Sequence, residues 1–176
     1  MKTKVALITI LVLSLLPAAW AHGDKHGGGH HKMMKTAFSE FMEHYEAIRL
    51  SLLSDSLDGV GDHAKAISKR ARRLASAFDA EMAGVAKDKG PEIKALMPKL
   101  RAQADALAKS TDLRSARDAF APLSESFVNY RNAATGDKPA VAFCPMAKRS
   151  WLQPKGQIGN PYGGTKMPRC GQFIKN

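Results

Sequence analysis

The chain has 176 residues, 44% hydrophobic and 24% charged, with 27 Lys and Arg against 16 Asp and Glu, for a formal charge of +11. That length suffices for one domain with a real hydrophobic core plus tails. The two cysteines, Cys144 and Cys170, make no Cys-x-x-Cys or Cys-x-x-Cys-His pair, which excludes a zinc ribbon, a thioredoxin-type redox site and a c-type haem.

Lys2 and Lys4 precede an apolar run over residues 5–16, Pro17 breaks it, and Ala19-Trp20-Ala21 offers small residues at a cleavage site. This predicts a signal peptide over residues 1–21. The run is short for a bilayer and no second one follows, so a soluble, periplasmic protein without a membrane span is expected. Loss of the segment, with its two lysines and no acids, leaves 155 residues at about +9. In an exported chain this charge points to an acidic partner, an envelope polyanion or an anionic membrane surface rather than to nucleic acid.

Residues 22–35 mix histidine and glycine and carry no apolar anchor before Met33, which predicts a flexible tail. His22, His26, His30 and His31 can gather weakly and unselectively around Cu(II), Zn(II) or Ni(II). Cleavage after Ala21 leaves His22 as the new terminus, with an amine and a ring to chelate Cu(II).

From Thr36 apolar residues recur at three-to-four spacing. Phe38, Phe41, Tyr45, Ile48 and Leu52 predict a helix ending near Asp58-Gly59; His44, beside that face, is expected half-buried and hydrogen-bonded. A second helix is predicted over 62–82 through Ile67, Leu74, Phe78 and Met82, with His63 exposed at its start. Its run Lys69-Arg70-Ala71-Arg72-Arg73 is a solvated surface or a docking face for an acidic partner or anionic lipid. Pro91 opens a third helix through Ile93, Met97, Leu100 and Leu107, with Pro98 as a kink or restart. Asp112 caps a fourth that carries Phe120, Phe127 and Tyr130, bends at Pro122 and closes at Gly136. Together 36–136 predict an all-α fold, an antiparallel four-helix bundle.

Residues 137–176 alternate proline and glycine and predict an irregular segment folded back on the bundle. Residues 141–143 and 172–174 read as short extended pieces, and Trp151, Leu152, Ile158 and Tyr162 as apolar anchors. Here Cys144-Pro145-Met146 and Met167-Pro168-Arg169-Cys170 each pair a thiol with a thioether. Cys144, Met146, Met167 and Cys170 are soft donors of the kind that select Cu(I), so a Cu(I) or Ag(I) site is one reading, with the Trp151 ring over the ion. The other is a Cys144–Cys170 disulfide stapling a loose segment, which for such a loop contributes roughly 3 to 4 kcal/mol.

The motifs Cys144-Pro145-Met146-Ala147, Trp151-Leu152-Gln153, Ile158, Asn160-Pro161-Tyr162-Gly163, Met167 and Cys170-Gly171 resemble a particular domain family. That family, of unknown function, occurs at the end of periplasmic adaptor subunits of copper and silver efflux pumps and in stand-alone exported proteins. A looser likeness runs through Ala116-Arg117-Asp118-Ala119-Phe120 and Leu123-Ser124-Glu125. Gly163 stands where the family commonly has a second aromatic. The resemblance implies a helical domain linked to copper handling and brings no established ligand or catalytic residues.

No Glu-x-x-His pair marks a di-iron bundle, no Gly-rich loop marks a phosphate site, and candidate acid/base groups stand singly, so an enzyme is not expected. The sequence thus predicts a periplasmic copper-binding or copper-handling accessory protein linked to efflux or resistance. The alternative is a non-catalytic interaction domain, stapled by its two cysteines, that docks on an efflux adaptor or an anionic envelope partner.

Overall fold

The computed structural model describes residues 35–175. The expected signal peptide, and all but the last residue of the expected His/Gly-rich tail, lie outside them. Thr36 caps α1 (Ala37–Leu53), its hydroxyl accepting from the Ser39 N–H at 3.3 Å, and the stripe Phe38, Phe41, Tyr45, Ile48 and Leu52 is buried as the spacing predicts. α2 (Val60–Ser76) buries Val60, Ala64, Ile67, Ala71 and Leu74. α4 (Gly90–Ala108) and α5 (Leu113–Ala133) run through Pro98 and Pro122 without a break, and Asp112 and Ser115 form a reciprocal capping box at the start of α5.

The second helix is shorter than its periodicity predicts. It stops at Ser76, and Asp79 caps a separate single turn, α3 (Ala80–Ala83), by accepting from the Met82 N–H at 2.7 Å. Met82 continues the apolar spacing yet is exposed. The break redirects the chain so that the buried Tyr130 hydroxyl donates to the Ala83 carbonyl at 2.8 Å.

The all-α expectation is overturned beyond residue 139. β1 (Ala140–Cys144) pairs antiparallel with β2 (Arg149–Gln153) on one side and with β3 (Gln172–Ile174) on the other, giving the order β2-β1-β3. Val141, Ala142, Cys144, Trp151 and Leu152 are buried in it, so a Pro/Gly-rich segment holds a real sheet.

α2 packs chiefly on α4, α4 on α5, and α1 on α2, while β2 lies against α5. The core is a row of aromatic rings: Phe41 on Phe127 at 5.6 Å, Tyr45 on Phe120 at 5.0 Å, Phe120 on Tyr162 and Tyr162 on Trp151 at 6.0 Å each. The last two contacts carry the row out of the bundle into the C-terminal segment. Polar clamps accompany it. The buried Tyr45 hydroxyl accepts from the Leu152 N–H at 3.1 Å and lies 2.7 Å from the Ser124 hydroxyl. Arg49, buried and held bidentate by Glu46, donates to the Gly159 carbonyl at 2.8 Å.

Tyr45→Phe leaves the Leu152 N–H and the Ser124 hydroxyl buried without their partner. The loss expected is about 1–3 kcal/mol of stability, read as a lower urea midpoint at unchanged slope; an unchanged midpoint contradicts the clamp.

Candidate metal centre

A four-residue turn, Pro145 to Lys148, joins β1 to β2, with Lys148 in the left-handed region at φ 52°. Cys144 ends β1 just before it and is fully buried. On the other edge of β1, Phe143 pairs with Gln172, so the chain entering β3 passes Cys144. The two sulfurs, 26 residues apart, lie 3.1 Å from each other as free thiols. This exceeds the ~2.05 Å of a disulfide, so the staple expected as one reading is not the bonding found.

Two features set that approach. Gly171 has φ 149°, and a Cβ on it would lie 2.7 Å from Trp151 Cη2 and 3.1 Å from the Phe143 carbonyl, so only glycine lets Cys170 come this close to β1. The buried Asn160 closes the loop before it: its amide nitrogen donates to the Cys170 carbonyl at 2.9 Å, its side-chain oxygen accepts from the N–H groups of Tyr162 and Gly163, and its own N–H donates to the Pro168 carbonyl. Gln153 does the same for the preceding bend, accepting from Trp151 Nε1 at 2.9 Å and the Gly159 N–H at 3.0 Å. Trp151 is therefore a buried spacer under Gly171.

The thiols are not equivalent. Burial acts to raise the Cys144 thiol, but hydrogen bonds from the Ala147 N–H at 3.4 Å, from Cys170, from the Met146 N–H and from the Asn160 side chain outweigh it and hold it below its ordinary value. Cys170 is pushed up, first by the hydrogen bond with Cys144, then by burial and by the charge on Cys144. The pair thus favours one thiolate, on Cys144, with the remaining proton on Cys170. A soft cation can replace that proton. Two sulfurs each about 2.3 Å from a metal at a tetrahedral angle stand roughly 3.8 Å apart, so an ion requires the pair to open by under ~1 Å. The donor set fits Cu(I) or Ag(I).

Met146 and Met167 stand on the two turns that carry the cysteines, 73% and 45% exposed. Sequence reasoning thus joined four sulfurs, of which the fold packs the two thiols together and leaves the thioethers outward. Among the described residues no three His, Cys, Asp or Glu side chains converge on a metal position. His22, His26, His30 and His31 lie outside the described residues. His44 is half-buried as expected, and its partner is His63, which is partly buried rather than exposed. Asn160, Gln153, Arg49 and Arg117 were missed as determinants of the site; the signal for the first two was their place inside the Asn-Pro-Tyr-Gly and Trp-Leu-Gln motifs.

Arg117 ties the loop after Asn160 to the bundle, donating to the Pro161 and Leu52 carbonyls at 2.8 Å each and pairing with Asp55. Gly164, at φ 54°, makes room, since a Cβ there would overlap both Asp55 and Arg117. The Thr165 hydroxyl, Arg117 and the Thr165 N–H hold the Asp55 carboxyl down to about 2. A carboxyl depressed in the folded state stabilises above its unfolded value near 4 and loses that contribution as pH falls toward 2. Urea midpoints are therefore expected to fall more steeply from pH 4 to 2 in the parent than in Asp55→Asn; equal slopes contradict the assignment.

The family described as a protein of unknown function (DUF3347) matches residues 51–138, half of the chain. The chain belongs to that family. The matched stretch runs from the end of α1 through α5 and stops before β1, so the thiol pair lies outside it. No curated protein and no solved structure matches the chain. Among the described residues no helix is long and apolar enough to cross a membrane.

Proposed function

We propose that this chain is a periplasmic, non-catalytic copper-handling accessory protein that binds Cu(I) or Ag(I) through Cys144 and Cys170 and serves metal efflux or resistance. The observation that carries the reading is the 3.1 Å approach of two thiols, one of them favoured as thiolate, set by Gly171 and Asn160 rather than by sequence proximity. Met146 and Met167 supply thioethers at the rim, and His22, His26, His30 and His31 act as an auxiliary collector. The likeness of residues 144–171 to the tail found in copper and silver efflux adaptors supports the same reading, as does the export signal expected at residues 1–21.

A second reading has its own support. Lys65, Lys69, Arg72 and Arg101, against the one carboxylate of Asp105, border adjoining clefts between α2 and α4, one floored by Ala71, Ala75 and Met97. Such a surface suits docking on an acidic partner, an efflux adaptor among them.

Anaerobic titration of Cu(I) against a competing chelator, into the reduced chain and into Cys144→Ser, Cys170→Ser, tests the first reading. One tightly held equivalent that the variant loses supports it. Equal affinities overturn it and leave the docking reading.

A further inference from the structure

A second pair of metal-ligating side chains stands away from the thiols. His44, on α1, and His63, in the first turn of α2, meet with their Nδ1 atoms 3.0 Å apart and their rings 5.3 Å apart at 44°. The nitrogens face each other, so one carries the proton the other accepts. The loop geometry enforces the meeting. Gly59, left-handed at φ 73°, turns the chain into α2, and a Cβ there would press within 3.3 Å of the His63 ring.

We propose that this pair is a chelating site for a borderline divalent cation, Zn(II) or Cu(II), held by both Nδ1 atoms, with the shared proton moving to the Nε2 of the ring that carried it. Two imidazole nitrogens at 2.0–2.1 Å from a metal stand about 2.9 Å apart at a right angle and about 3.3 Å apart at a tetrahedral one. The observed 3.0 Å lies between them. The ring torsions are soft, so small turns of the two rings can aim both lone pairs at a shared ion.

The neighbours set the strength of the site. Glu40 lies one turn before His44 on the same helix face and pairs with Arg70 at 2.7 Å, so it can become a third ligand by leaving that arginine. Glu43 pairs with Lys35. Lys69, Arg70 and Arg73 line the same cleft of about 200 Å³ as Glu40 and His44, and their charge opposes a dication. A weak, exchangeable site follows.

The inference stands independently of the thiol pair, and its test removes the competing donors. The full chain with His22, His26, His30 and His31 replaced by alanine and both cysteines by serine is titrated with Zn(II) and, separately, Cu(II). One equivalent is expected, with affinity falling at least about tenfold in His44→Ala and in His63→Ala and several-fold in Glu40→Gln. Unchanged affinity in both histidine variants overturns the site. Should either variant unfold, imidazole NMR of the folded parent decides: one equivalent of Zn(II) should move the ring signals of both His44 and His63 and remove the shared proton from between them. Rings that do not respond contradict the proposal whatever the titrations show.

Discussion

Replacing Cys144 and Cys170 together by serine is expected to weaken Cu(I) binding at pH 7 by two orders of magnitude or more, about 2.8 kcal/mol or above. The hydroxyl is a hard, weakly acidic donor where the thiol is a soft one that deprotonates on binding. Met146→Ala and Met167→Ala are each expected to lower affinity by less than about tenfold, because both thioethers are outward and a carbonyl or solvent can replace them. The two single cysteine variants should differ. Cys144 accepts from the N–H groups of the turn that follows it, so its loss removes the favoured thiolate, whereas loss of Cys170 keeps those bonds and removes only its own hydrogen bond to that sulfur. Because metal displaces a proton from the pair, affinity should rise with pH and level off where Cys170 ionises, above the ordinary thiol value; Cys170→Ser should flatten that rise.

Trp151→Ala should be the most damaging single change in the C-terminal segment, at about 3–5 kcal/mol. Trp151 is among the largest fully buried side chains, its edge meets Tyr162, its ring backs Gly171, and its indole N–H donates to Gln153. Removing it opens a cavity beneath Gly171 and breaks the aromatic row that reaches back to Tyr45. Trp151→Phe keeps most of the apolar contact, loses the hydrogen bond, and is expected to cost roughly half as much. Cu(I) affinity should fall in Trp151→Ala even where the bundle stays folded, because Gly171 and Cys170 lose their backing. A variant with parental urea midpoint and parental affinity contradicts this account of how the site is held.

The helical half was readable because it repeats one rule. A stripe such as Phe38, Phe41, Tyr45, Ile48 and Leu52 has no use except burial, and Asp112 announces a helix start with Ser115 to complete the cap. That rule fails where apolar spacing continues by coincidence. Phe78 and Met82 extend the α2 pattern, but the chain has already turned, and Met82 is exposed. The sheet was harder. The residues of β1 and β3 read as extended pieces, but β2 holds the consecutive buried residues Trp151, Leu152 and Gln153, a run without alternation whose buried glutamine is satisfied by groups brought in from Gly159 and Gln157. A strand explained only by its neighbours leaves no periodic trace.

For the site, sequence named the thiols and left metal and disulfide open. Its geometry came from long-range bonds that carry no local pattern: Tyr45 to Leu152, Arg49 to Gly159, Arg117 to Pro161. Each joins the bundle to the segment that holds the cysteines; of the three anchors Arg117 lies in the family-matched stretch 51–138, while Tyr45 and Arg49 precede it on α1.

The most direct measurement is X-ray absorption at the copper edge of the reduced chain loaded with one equivalent of Cu(I). Copper held by Cys144 and Cys170 predicts a first shell dominated by sulfur, with two or three scatterers, that is lost in the double serine variant. A first shell of nitrogen or oxygen, unchanged by that substitution, would place the copper elsewhere and contradict the account.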